Sequence, residues 1–185
     1  MATVVVGGSG KDVGKTALVC AIIAALKDFA WTAVKITGHD YEPGLPVLLG
    51  EESIREETSS NGGTDTARYL SAGARRSLLV TRQGAEVPLG EIQRAVGADR
   101  NVIYESNRIV DVIRPDVAVA LIAGSHQDWK ASFVRFHEKA DAVVSSGDAE
   151  IHPRSLRSEV AHFASKTGDP LSADMEQWLR EKLRD

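Results

Sequence analysis

The sequence predicts a three-layer α/β fold, a mostly parallel sheet with helices on both faces. Three observations carry that prediction. Val4-Val5-Val6 is an uninterrupted β-branched run, as in a parallel strand covered on both sides. A glycine-rich stretch from Gly7 to Gly14 follows it, and then Ala17 to Leu26 is apolar almost all round at helix length. Thr32 to Thr37 returns as a second strand, closing a strand–loop–helix–strand unit.

The later elements follow by the same reasoning. Thr64-Asp65-Thr66 opens a helix with capping residues, and Gly73 stops it. Ser77 to Thr81 is a strand; Leu89 to Val96 is a helix started by Pro88 and ended by Gly97. Val102-Ile103-Tyr104 is a short buried strand that ends on Glu105, and Arg108 to Ile113 a short helix. Val117 to Ile122 is a strand, Trp129 to Ala140 a helix, and Ala142-Val143-Val144 the last strand. Two helices, Arg154–Ala164 and Ala173–Leu183, close the chain.

With 185 residues, 43% hydrophobic and 26% charged, the chain is expected to form a single domain over 1–185 with a sizeable core. Its net charge of −4 argues against a generally basic nucleic-acid binder. Cys20 is the single cysteine, so neither an intrachain disulfide nor a multi-cysteine metal site is possible. No apolar run reaches membrane-spanning length, and the N-terminus reads as a strand rather than a signal peptide, so no membrane association and a cytoplasmic location are expected. The acidity is local. Residues 38–63 hold Asp40, Glu42, Glu51, Glu52, Glu56 and Glu57 against Arg55, a net of −5, and the remainder of the chain is +1. This acidic loop is either functional, a solvated connection, or the frame of a short helix around Gly50–Glu57.

Gly8-Ser9-Gly10-Lys11-Asp12-Val13-Gly14-Lys15-Thr16-Ala17 stands between a buried strand and a buried helix. That is the place for a phosphate-binding loop, and it makes the predicted fold that of a P-loop NTPase. Glycines let successive N–H groups turn inward, and the helix N-terminus adds a positive dipole end. Lys15 would reach the β- and γ-phosphates and the Thr16 hydroxyl would bind Mg²⁺. Ser9 stands where the usual pattern has glycine, with Gly8 and Gly10 flanking it. Lys11 lies four residues before Lys15, one short of the spacing in dimeric deviant Walker ATPases, and reads as solvated or weakly phosphate-facing.

Ligands of open α/β sheets gather at the carboxyl ends of strands. After the second strand come Lys35, His39 and Asp40; Asp40 could hold Mg²⁺, and Lys35 could neutralise phosphate or form an ordinary ion pair. His39 lacks a positioned partner and reads as structural or solvated. Glu105 ends a buried strand and needs a partner there; it would orient the Mg²⁺ water shell or the attacking water, with Ser106 or Asn107 capping the short helix from Arg108. Asp65 reads as a capping residue. Trp129 reads as packing, and the loop at Gly147-Asp148 as a place for a nucleotide base that no guanine motif identifies.

Together these blocks resemble the molybdopterin-guanine dinucleotide biosynthesis protein B family. Gly14-Lys15-Thr16, Lys35-x-Thr37-x-His39-Asp40, the run from Asp65 to Ala74 and the strand ending in Glu105 follow that family's order over roughly residues 3–148. The resemblance implies a usually dimeric nucleotide-binding protein that hydrolyses GTP weakly and assists attachment of a nucleotide to the molybdenum cofactor, with a protein of that pathway as partner. Carried over, Lys15 and Thr16 would hold phosphate and Mg²⁺, and Asp40 and Glu105 would shape the metal site. The loop is also similar to that of dethiobiotin synthetase, an ATP-dependent ligase, in Gly8 and in Val13-Gly14-Lys15-Thr16, and Lys35 matches that enzyme's lysine after its second strand. The expectation is therefore a Mg²⁺-dependent, GTP- or ATP-binding protein with slow NTPase activity, in which Lys15 stabilises charge on the transferring phosphoryl group and Asp40 and Glu105 position Mg²⁺ and water. A ligase, or a module switched by its nucleotide through the 38–63 loop, remains open.

Overall fold

The computed structural model describes residues 1–38, 54–82, 84, 86–123, 129–146 and 160–184. Its centre is one sheet of eight strands: β1 (Ala2–Gly8), β2 (Thr32–Gly38), β3 (Ile54–Glu56), β4 (Arg76–Arg82), β5 (Asn101–Glu105), β6 (Val117–Ile122), β7 (Ala142–Ser146) and β8 (Ala161–Ser165). The order is β3-β4-β2-β5-β1-β6-β7-β8. Every neighbouring pair is parallel except β3 with β4. Among the described residues five α-helices accompany it: α1 (Lys15–Ala25), α2 (Asp65–Ala72), α3 (Leu89–Val96), α4 (Ala131–His137) and α5 (Ala173–Lys182).

Alternation along the central strands divides the core in two. Val4 and Val6 of β1 face Leu18, Val19, Ile22 and Ile23 of α1, with Tyr69 of α2 and Met175 and Leu179 of α5 in the same cluster. Val5, one residue out of phase, joins Ile92 and Val96 of α3 and Phe133 and Phe136 of α4 on the other face. Each such side chain contributes about 1.5–3 kcal/mol by leaving water. All six residues of β6 are buried, which is why it shows no polar alternation. At the far end of α1, Arg180 donates to the Ala25 carbonyl at 2.9 Å and pairs with Asp28, tying α5 to a helix end whose carbonyls need donors. The fold is thus the predicted three-layer α/β arrangement, a mostly parallel sheet with helices on both faces.

Several elements differ from the sequence expectation. Ile54–Glu56, within the stretch considered for a helix, is an antiparallel edge strand, and Arg76 holds Glu56 there through paired contacts of 2.9 and 2.8 Å. Ala142–Ser146 is not the last strand: Ala161–Ser165, expected at the end of a helix, lies parallel to it as β8. Its alternating half-buried and exposed residues fit an edge strand better than a helix face. Arg108–Ile113 contracts to a 3-10 turn at Ile109–Asp111, and the helix expected over Trp129–Ala140 to α4. His39, Asp40, Gly147 and Asp148 lie outside the described residues, as does the 39–53 part of the acidic loop.

Candidate functional site

The chain leaves β1 toward β2 on one side of it and, after β5, crosses to β6 on the other. The carboxyl ends around β1 and β5 therefore border a cleft, the usual ligand position in such sheets. The cleft measures about 790 Å³ and, among the described residues, is lined by seven basic side chains and three acidic ones. Among the described residues this concentrates positive charge in a chain whose net charge is −4.

One wall is the loop from Gly8 to Thr16. Ser9 is buried; its N–H donates to the Leu121 carbonyl at 2.9 Å and its hydroxyl exchanges 3.1 Å contacts with the Ala123 backbone. This explains a serine where the common pattern has glycine: the hydroxyl ties the loop to the end of β6. Gly8 is clamped from the other side, donating to Asn107 Oδ1 at 2.7 Å while Asn107 Nδ2 donates to the Gly8 carbonyl at 2.9 Å. A Cβ on Gly8 would meet the Lys15 and Val13 side chains at 2.7–2.8 Å. Gly14, the N-cap of α1, has φ 101, a conformation open mainly to glycine. Asp12 adopts φ 57, which aspartate tolerates better than most residues. Lys11 is exposed at the cleft wall, and Val13 packs against the α1 cluster. Ala17 lines the cleft in the first turn of α1.

Lys15 turns back over the loop, and its Nζ donates to the Gly10 carbonyl at 2.6 Å. Burial lowers the pKa of its ammonium, an effect that Glu105 opposes and Lys35 reinforces. A partly desolvated cation set at a helix N-terminus favours anion contacts.

Glu105 stands beside the loop, since Val6 and Glu105 are register partners of β1 and β5. It is 5% exposed. Oε2 accepts the Thr16 hydroxyl at 2.7 Å and also the Tyr69 phenol. Oε1 accepts Lys35 Nζ at 3.0 Å. Three donors thus use most of the roughly four acceptor positions of a carboxylate, and a buried charge is fully paired. Burial first, then the charge and hydrogen bond of Glu105, push the Tyr69 phenol well above its usual range, so it stays a proton donor. Lys35 reaches across to Asp65 as well. Burial works against its charge, but Glu105 and Asp65 outweigh it and raise its pKa.

The structure reassigns two small roles. Thr64, not Asp65, caps α2, its side chain accepting from Ala67 N at 3.1 Å. Asp65 is the first helical residue and holds Lys35 instead. Of the two residues after Glu105, Ser106 receives the Arg108 and Ile109 N–H groups, while Asn107 clamps Gly8. Trp129 packs edge-on against Phe133. Sequence reasoning does not single out Tyr69, Arg82 or Thr167, nor the clamp made by Asn107. Only Tyr69 leaves a signal, as the one aromatic side chain on a helix opened by polar caps.

Among the described residues no group of three or more His, Cys, Asp or Glu converges on a point, and no helix is long and apolar enough to cross a membrane. No protein-family model matches the chain, and no curated protein matches it. Among solved structures, HypB from Helicobacter pylori in complex with nickel aligns over 97% of this chain and 86% of that one, with 16% identity and a TM-score of 0.48. A likeness at that level assigns no residue and no ligand, and the fold rests on the strand order itself.

Proposed function

We propose that this chain is a Mg²⁺-dependent purine nucleoside triphosphate-binding protein that hydrolyses its nucleotide slowly. The observation that carries this reading is the Lys15–Thr16–Glu105 arrangement at the mouth of a basic cleft. A desolvated lysine folds over a glycine loop, and beside it a hydroxyl is held by a buried carboxylate. Lys15 would leave the Gly10 carbonyl for the β- and γ-phosphate oxygens and stabilise charge on the transferring group.

The donor set fits Mg²⁺. Thr16 Oγ1 and the Glu105 carboxylate are hard oxygen ligands, and that ion commonly takes only one or two protein groups beside phosphate and water. When bound, it would neutralise phosphate charge. The Thr16 hydroxyl donates its hydrogen bond to Glu105 Oε2, which leaves the oxygen lone pairs for the metal. Because Lys35, Tyr69 and Thr16 already engage Glu105, its part is to aim Thr16 and the metal's water shell rather than to take a proton. Asp40, proposed as a further metal-shaping carboxylate, lies outside the described residues.

The resemblance to the molybdopterin-guanine dinucleotide accessory family supports GTP as the nucleotide, a homodimer, and a partner protein in molybdenum-cofactor synthesis. The ligase reading requires a diamine in the cleft, and seven basic side chains against three acidic ones oppose a cationic substrate.

Titration calorimetry of ATP and GTP, each with and without Mg²⁺, tests the proposal. Binding that strengthens with Mg²⁺ is expected, with GTP preferred. Failure of both nucleotides to bind overturns the reading.

A further inference from the structure

Helix α2 reaches the carboxylate at the end of β5 by two routes. Asp65 and Tyr69 stand four residues apart, so both lie on one face of that helix. Asp65 reaches Glu105 through the lysine they share, Lys35. Tyr69 reaches it directly: its phenol donates to Glu105 Oε2, the oxygen that also accepts the Thr16 hydroxyl at 2.7 Å. The tyrosine is completely buried, in the cluster built around α1.

An isolated helix of eight residues is marginal, and this one is fastened at both ends. Before it, Glu57 Oε2 accepts the Thr64 and Thr66 hydroxyls at 2.9 and 3.2 Å, and Thr64 caps the first turn. After it, the Ala74 N–H donates to the Tyr69 carbonyl at 3.0 Å as Gly73 turns the chain. The phenol is therefore held in place from outside the cleft.

A fixed phenol constrains Glu105 in a way that Lys35 and Thr16 alone do not. The terminal torsion of a glutamate is soft. Lys35 holds Oε1 at 3.0 Å, and Thr16 by itself on Oε2 would follow that torsion. A second hydroxyl on Oε2, anchored to another helix, sets the carboxylate plane from β2, α1 and α2 together. The direction of the Thr16 hydrogen bond is set with it, and so is the side on which the Thr16 lone pairs lie. Packing does not call for this group: phenylalanine would fill the same volume without bringing a polar atom into the core.

We infer that Tyr69 is a positioning residue for the metal: through Glu105 Oε2 it orients the Thr16 hydroxyl, and so sets how strongly the nucleotide complex holds Mg²⁺. The inference rests on the nucleotide reading of the cleft. It goes beyond that reading in giving α2, an element outside the phosphate loop, control over the metal.

The test uses the full chain and the β,γ-imido analogue of GTP or ATP. Calorimetry with excess chelator, and then over a range of Mg²⁺ concentrations, separates nucleotide contacts from metal contacts. In Tyr69→Phe, affinity without metal should change less than about twofold, since Lys15 and the loop backbone are untouched. The Mg²⁺ concentration for half-saturation should rise roughly tenfold or more, as when a group that holds a metal ligand is removed. Ile23→Val, a core change in the same cluster, should lower the urea midpoint and leave the Mg²⁺ requirement where it was.

A Tyr69→Phe protein that binds the analogue and needs no more Mg²⁺ than the parent overturns the inference and leaves the nucleotide reading in place. So does an equal rise in Ile23→Val, which would make the effect one of stability alone. If the parent binds neither analogue, or binds them without regard to Mg²⁺, the nucleotide and metal reading itself fails and the inference falls with it. Should Tyr69→Phe not fold, nuclear magnetic resonance of the parent, with tyrosine isotope-labelled at Cζ, decides. Adding Mg²⁺ to the analogue complex should move the Tyr69 signal, because a metal on Thr16 Oγ1 strengthens the hydrogen bond to the oxygen that Tyr69 shares. The signal of Tyr104, in the cluster on the other face of the sheet, should stay in place. An unmoved Tyr69 signal overturns the inference.

Discussion

The phosphate loop and the buried carboxylate beside it are built in opposite ways. The loop is a run of ten consecutive residues shaped by glycine backbone, a left-handed N-cap and a helix start. Glu105 is held by side chains from α1, β2 and α2, whose partners lie 89, 70 and 36 residues away in sequence. The loop takes its course mainly from its own backbone and is pinned from outside by Ala123 at Ser9 and by Asn107 at Gly8; the carboxylate depends wholly on distant side chains. Function should therefore be most sensitive in the loop and stability most sensitive at Glu105.

The largest effect is expected from Lys15→Ala. It should weaken triphosphate binding roughly a hundredfold or more, because a charge-assisted contact to the phosphates is lost. Folding stability should hardly change, since burial already disfavours this ammonium and its hydrogen bond within the described residues is to the Gly10 carbonyl. Calorimetry and urea unfolding measured side by side check both halves of the statement. Unchanged nucleotide affinity would remove the phosphate-loop assignment.

Glu105→Ala should show the opposite balance. It leaves Lys35 partly buried with Asp65 as its remaining carboxylate partner among the described residues, and strips Tyr69 and Thr16 of their acceptor. Losing one partner of a buried pair costs about 3–5 kcal/mol, readable as a lower urea midpoint with the slope kept. A loss smaller than that from Lys15→Ala would invert the comparison. Tyr69→Phe is milder: it removes one donor from a carboxylate that keeps two others, at about 1–2 kcal/mol.

The same contrast explains how much is legible in the sequence. The sheet core and the loop are legible because strand runs such as Val117–Ile122 and the glycine pattern are local signals. Glu105 is legible as a charge at a buried strand end that has to find a partner. Which partners it finds is not, because Tyr69 and Lys35 reach it only through the strand order β2-β5-β1 and the packing of α2 on α1. β8 and β3 escape sequence reasoning for a related reason. Short edge strands with half-exposed residues carry little periodicity, and they become strands only through β7 and β4. Asn107 misleads because asparagine after a strand suits a cap, whereas here it extends the β1–β5 ladder with its side chain.

The smallest effect sharpens the comparison at its border, where Asp65 joins the Glu105 cluster from the cleft side. Burial acts to raise its pKa, but the Lys35 hydrogen bond and charge outweigh that and hold it below the ordinary aspartate value of 3.8. A carboxyl depressed in the folded state adds stability above its unfolded pKa, and that stability fades as pH falls through the folded value. Lys35, raised above 10.5, adds stability throughout the range below that value and loses it only as pH rises through its folded pKa. Asp65→Asn should therefore flatten the acid limb of the stability profile below about pH 4 and weaken the alkaline limb only in part, because Lys35 keeps Glu105. The side chain of Asp65 is 37% exposed, so solvent screens the pair and the loss at neutral pH should stay under about 1 kcal/mol. Urea midpoints for both proteins from pH 2 to pH 11, roughly the range that spans the two titrations, measure it. An alkaline limb that Asp65→Asn abolishes, and does not merely weaken, would show that Lys35 depends on Asp65 more than on Glu105, and would shift the centre of the network from the buried strand end to the helix start.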